Sequence, residues 1–237
     1  MKISGKLIFL IVLIAVGIGS LYLTTTSQQR SSGIAYGQGW LAFKFKNYPR
    51  AVRHYTNAVQ RDPSNLMALY FTTLSKIKTA EGSIKTQEDS HYFREAVHHG
   101  KELVSLGEES KHKNLYLFYY VSALAHLHVH EYDSAKEAIE KARDLVPDDY
   151  RILVLAGRIL IEKEDYKTAI VHLDGARQEK SYKAYEAYFY LGLAHEGLGD
   201  RDRAWFYYDQ CIKSWPTKEM KQEAIRKKTA IVSKPGP

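Results

Sequence analysis

Residues 150–184, YRILVLAGRILIEKEDYKTAIVHLDGARQEKSYKA, and residues 185–216, YEAYFYLGLAHEGLGDRDRAWFYYDQCIKSWP, read as two copies of one helix-pair unit. In the first copy Gly157 is followed by Ala169, Leu173 and Ala176; in the second Gly192 is followed by Ala204, Tyr208, Cys211 and Pro216. The anchoring alanines lie 35 residues apart, and both copies keep the order small, large, small. A fixed period of this size marks stacked helical repeats, none of which buries its apolar face without a neighbour. The fold class this predicts is all-α.

Carrying the register backwards gives three more units. The first, about 32–65, has Gly39 and then Ala51, Tyr55, Ala58 and Pro63. Pro63 ends its helix because the ring cannot continue the hydrogen-bond ladder. The third, 116–149, has Ala123 at the glycine position and then Ala135, Ile139, Ala142 and Pro147, with Ala135 placed 34 residues before Ala169. The second, 66–115, is irregular. Its first helix is expected from Leu66 to about Lys78, followed by a lengthened polar loop, Ala80–Ser90, and a second helix from His91 to Leu106. Ala96 and Leu103 match the register there, but Gly100 stands where a large residue belongs, and Gly107–Asn114 is a further polar interruption. Ala51 and Ala135 are 84 residues apart, 16 more than two periods of 34. After the fifth unit, residues 217–232 read as a solvating helix. Thr217 is its cap, Glu219 lies in its first turn, and Lys227 and Lys228 lie towards its end, the charge order that suits the helix dipole. Residues 233–237 are expected to be a disordered tail.

The N-terminal stretch has a different character. Leu7–Leu23, LIFLIVLIAVGIGSLYL, is 17 residues without a charge, about 26 Å as a helix. Thr24–Thr26 can extend it, so residues 1–26 are read as a membrane anchor crossing through residues 7–23. A cleavable signal peptide has a shorter apolar region, and the single passable site, Ala15-Val16-Gly17, would cut inside the run. Lys2 and Lys6 precede the span and Arg30 alone follows it closely. The positive-inside rule then keeps the N-terminus cytoplasmic and places the repeats (residues 33–216) on the extracytoplasmic, periplasmic side. Residues 27–32 are expected to form a polar tether.

Composition narrows the function classes. The net charge of +7 comes without a Lys/Arg block interleaved with aromatics, so no nucleic-acid partner is expected. Cys211, the one cysteine, cannot form an internal disulfide and falls on a small helical position. His126 and His130 stand four apart and could share an ion on a helix, but no acidic third ligand is placed with them, and His195 recurs at the repeat position of His126, which argues for packing. No nucleophile elbow, phosphate-binding glycine loop or paired carboxylate on one face occurs. Catalytic residues, cofactors and metals are accordingly none, and the protein is expected not to be an enzyme.

The order Gly, Ala, large residue, Ala, Pro over about Ser32–Pro216 resembles the tetratricopeptide repeat (TPR). The resemblance implies a helical-repeat solenoid of about five helix pairs, here following one transmembrane helix, that recognises another protein along a groove lined by the first helix of each pair. The groove positions it implies are Tyr36, Trp40 and Phe43, then Tyr70, Leu74 and Ile77, then Tyr120, Leu124 and Leu127, and finally Val154, Arg158 and Ile161 with Phe189 and Leu193. TPR modules that grip acidic chain termini carry a Lys and an Asn at the first two of these positions, and the pairs here contain neither. An apolar, aromatic groove suits an amphipathic or hydrophobic helix. The function this implies is a membrane-anchored scaffold or assembly factor for a membrane or envelope complex, with subunits of that complex as partners. The alternatives are a holdase for unfolded or translocating chains and an organelle receptor of opposite topology.

Overall fold

The computed structural model describes residues 5–82, 87–178 and 184–233. Among the described residues the chain is all helix, without a strand. The helices are α1 (Gly5–Lys44), α2 (Tyr48–Arg61), α3 (Leu66–Gly82), α4 (Gln87–Glu109), α5 (Leu115–His128), α6 (Tyr132–Leu145), α7 (Tyr150–Glu162), α8 (Tyr166–Gln178), α9 (Ala184–Gly197), α10 (Arg201–Lys213) and α11 (Lys218–Ser233). They fall into two bodies, residues 1–99 and 100–237, with the boundary inside α4.

In the N-terminal body α2 packs on both α1 and α3. Its Ala51, Tyr55 and Ala58 are fully buried, which is the small, large, small order seen in the sequence. Tyr55 stacks on Phe71 with ring centroids 5.3 Å apart, and Tyr36 and Phe43 meet Phe71 edge-on at 6.0 and 5.6 Å. Such pairs contribute about 0.5–1.5 kcal/mol each beyond their area. Between α3 and α4 the contact is polar. Lys76, only 7% exposed, puts Nζ 3.0 Å from Glu95 Oε2. Burial works to raise the Glu95 pKa, and the hydrogen bond and charge of Lys76 outweigh it, so the carboxyl ends below its ordinary value.

In the C-terminal body α5/α6, α7/α8 and α9/α10 are consecutive hairpins, and α7 also touches α5 and α9. The repeat positions on α6, α8 and α10 are buried without exception, from Ala135, Ile139 and Ala142 to Ala204, Tyr208 and Cys211. The glycine position has a steric cause. A Cβ on Gly192 would lie 2.5 Å from Cε1 of Tyr208, so the ring closes directly onto the α9 backbone.

One turn closes α1, α5, α7 and α9, and it recurs after α4, where His112 N–H donates to Gly107 O at 2.9 Å behind the left-handed Lys111 (φ 48°). Asn47, Glu131, Asp165 and Asp200 each donate their backbone N–H to a carbonyl five residues earlier (Ala42, His126, Leu160 and His195), at 2.9 to 3.0 Å. The residue before each is left-handed: Lys46 (φ 58°), His130 (61°), Glu164 (59°) and Gly199 (76°). This is the Schellman closure, which satisfies carbonyls that the helix end leaves open. Asn47, Asp165 and Asp200 then cap the following helix, their side chains accepting from Arg50, Thr168 and Arg203 N–H.

The structure departs from the sequence expectations at several places. Residues 27–32 are not a loose tether: α1 runs through them, Ser31 Oγ donates to Gln28 O on the exposed side, and the buried Ser32 Oγ donates across to Ala58 O. The extra length of the irregular repeat goes mainly into helix. α3 reaches Gly82, α4 resumes at Gln87 and holds 23 residues against 14 in α2, and residues 83–86 alone lie outside the described residues. The end of α3 is supported locally by the Lys78–Glu81 pair and by the Thr79 hydroxyl on Ser75 O. Gly100 is small for a reason, since its Cβ would lie 3.0 Å from the Ser122 Cα and the two backbones nearly touch. On α11, Thr217 Oγ1 accepts from Met220 N–H at 3.3 Å, but Lys227 and Lys228 pair with Glu196 and Asp209 on neighbouring helices. The expected membrane anchor occupies α1 residues whose side chains lie outside the described set, as does the tail at 234–237; among the described residues no helix is long and apolar enough to cross a membrane.

Candidate interaction surface

The first-helix positions expected to line a groove divide three ways. Tyr70, Leu124, Leu127, Val154, Phe189 and Ile77 are buried by the chain's own helices. Helix A of one repeat packs against its own second helix and against the next repeat, and this consumes most of an apolar face. Tyr36, Phe43, Leu74, Tyr120, Arg158, Ile161 and Leu193 are half-buried. Tyr36 and Phe43 spend their rings on Phe71, and Leu193 packs against the cluster of Tyr208, Cys211 and Ala224. Trp40 is exposed, at 46%, with Lys44 Nζ 5.0 Å from its ring.

In the N-terminal body the open apolar surface therefore belongs to α1. Besides Trp40 it includes Ile34 and Leu41, and Phe45, 76% exposed, continues it just past the helix end. Sequence reasoning missed Leu41 and Phe45 because it took only the groove register; their signal was a run of large apolar residues at the helix end. In the C-terminal body the first helices α5, α7 and α9 lie side by side, and the half-buried Tyr120 and Arg158 sit on them. The Arg158 guanidinium stands 5.3 Å from the ring of Tyr190, a cation–π contact that keeps a charge over an otherwise apolar surface.

The histidines serve the turns. His126 is buried, with Nδ1 2.6 Å from Glu131 Oε2, and the equivalent His195 lies 3.6 Å from Asp200 Oδ2 and stacks on Tyr207. Burial lowers the His195 pKa, and Asp200 works against that. His130 is the left-handed turn residue after α5, with Nδ1 2.7 Å from Tyr132 OH, so it does not share a helical face with His126. Among the described residues no group of three or more His, Cys, Asp or Glu is placed to hold a metal. Cys211 is fully buried, and burial pushes its thiol up to about 12, which makes it a small core residue rather than a nucleophile.

Comparison with known proteins follows this geometry. Tetratricopeptide-repeat sequence profiles match residues 36–72 and 120–184, and a second such profile matches 186–218, together more than half of the chain. No curated protein matches. Among solved structures the chain is similar to TTC0263, a thermophilic TPR protein of Thermus thermophilus (15% identity, TM-score 0.66, 83% of this chain and 98% of that one). It is also similar to MamA from Desulfovibrio magneticus RS-1 (13%, TM-score 0.59, 80% and 97%) and to YrrB, described as a TPR protein with an unusual peptide-binding site (15%, TM-score 0.55, 81% and 90%). With the repeat profiles falling on the hairpins that share one buried pattern and one turn, the chain belongs to the tetratricopeptide repeat family.

Proposed function

We propose that this protein is a membrane-anchored interaction scaffold that helps to assemble or hold a membrane or envelope complex. The observation that carries the reading is Trp40. Its repeat equivalent Leu124 is covered by neighbouring helices, whereas Trp40, with Leu41 and Phe45 beside it, is left open on α1. A large aromatic left this exposed beside other open apolar residues is the kind of residue that anchors a partner. The apolar character of this surface favours an amphipathic or hydrophobic helix as the bound segment. The uncharged run 7–23 on the same helix supplies the membrane attachment, and the lysines before it orient the repeats to the extracytoplasmic side.

The full-length chain, purified in mild detergent, is expected to bring a stoichiometric membrane partner identifiable by mass spectrometry. Trp40→Glu is expected to lose that partner while the circular dichroism stays helical; unchanged recovery would sink the reading. A reporter fused after Pro237 is expected to be active outside the cytoplasm, and a cytoplasmic signal overturns the topology.

A further inference from the structure

Within the C-terminal body, second helices α6 and α8 flank a cavity of about 190 Å³. Its floor is apolar: Ile139 from α6, with Ala156 and Leu160 from α7 beneath, all buried. Its rim is polar, and one member of it is unusual. Arg143 Nη1 lies 3.2 Å from Nε2 and 3.5 Å from Nδ1 of His172. Among the described residues no carboxylate pairs with this guanidinium.

The repeat itself shows what is missing. One period later, Arg177 occupies the position of Arg143 and donates to Asp174 at 2.6 Å. The residue equivalent to Asp174 is Glu140, which also lines the cavity but pairs with Lys136, 3.6 Å off, and not with Arg143. The acid that satisfies the arginine in one repeat is thus diverted in the other, and the arginine faces an open cavity instead.

We propose that this cavity binds a carboxylate borne on a short aliphatic group. The Arg143 guanidinium takes the two oxygens side by side, a geometry that guanidinium and carboxylate share. Thr168, on the rim, offers a hydroxyl, and the aliphatic part rests on Ile139 and Leu160. Charge supports the assignment. Among the residues lining the cavity, Lys136 and Arg143 oppose the one carboxylate of Glu140, which leaves the lining with room for an incoming negative charge. Burial and the Arg143 charge both lower the His172 pKa, against Glu140 and Asp165, so at neutral pH the ring adds no further charge. The site is built within the C-terminal body by α6, α7 and α8 and does not depend on the partner reading above.

Two sources carry such a group: a polypeptide C-terminus ending in an aliphatic residue, and a small branched acid. Histidine side-chain NMR of the full-length chain in detergent, with the His172 signal assigned through His172→Gln, reads both. Isovalerate and acetyl-Gly-Ala-Leu with a free C-terminus are the probes, and the C-terminally amidated peptide is the control. A saturable shift of His172 is expected, weakened about tenfold or more by Arg143→Gln and tightened by Glu140→Gln, which removes the competing acid. A free peptide that outcompetes isovalerate assigns the site to chain termini, and equal affinities assign it to small acids. No saturable shift with either probe, or binding unaltered by Arg143→Gln, overturns the proposal.

Discussion

Tyr55 and Tyr208 occupy the same repeat position, are both fully buried, and close over Gly39 and Gly192 in the same way. Their hydroxyls differ. Tyr208 OH donates to Glu196 at 2.6 Å, while Tyr55 OH is buried without a protein acceptor. A satisfied buried hydrogen bond contributes about 0.5–1.5 kcal/mol, and an unmade one costs the desolvation of its group. Tyr208→Phe is therefore expected to destabilise by roughly 1 kcal/mol or more, since Glu196 then loses a partner. Tyr55→Phe is expected to be neutral or stabilising. Urea titrations of the two variants check the opposite signs, and equal losses would remove the hydroxyl as the cause. The sequence showed that both rings are core. It could not show which hydroxyl is satisfied, because Glu196 comes from a position the repeat pattern leaves free.

At the level of the element, the turn after α1, α5, α7 and α9 sets the hairpin. Three of these four Schellman turns place an ordinary residue in the left-handed region, and the fourth uses Gly199. A side chain in that region costs about 1–2 kcal/mol that glycine avoids, partly offset by glycine's greater unfolded-state entropy. Glu164→Gly is expected to stabilise the fold by a few tenths to about 1 kcal/mol, and Gly199→Ala to destabilise it by about 1 kcal/mol. Thermal melts followed by circular dichroism distinguish the two directions. Helix identity was legible from period and caps, but helix length in the irregular repeat was not. The polar stretch Ala80–Ser90 lacks an apolar stripe, and a well-solvated helix face presents the same composition as a loop.

Across the full chain, buried imidazoles give stability a definite pH dependence. Burial, aided by the charge of Lys76, lowers the His99 pKa from 6.5 to about 4, and burial likewise lowers His172 and His195. A histidine whose folded pKa is depressed binds its proton more readily when unfolded, so its contribution is complete above about pH 6.5 and is lost as the pH falls towards the folded value. Melting temperature is expected to decline between about pH 6.5 and pH 4, and His99→Gln to flatten part of that decline. An unchanged slope in the variant would assign the decline to other groups, of which the carboxylates paired with lysine and arginine act only at the lower end of the window.

The repeat was legible in the residues alone. Small, large, small at a period near 35 can be satisfied only by helices packed in pairs, and the chain obeys it at Tyr55, Ile139, Leu173 and Tyr208 alike. Packing in three dimensions selected which first-helix residues remain available. Leu124 stands at the register position of Trp40, and Tyr70 and Phe189 at the groove position of Tyr36, yet the neighbouring helices bury all three and leave Trp40 open. The same packing sets Arg143 against a cavity and Arg177 against an acid, because a side chain's partner depends on the rotamer its surroundings permit, and no local spacing encodes that.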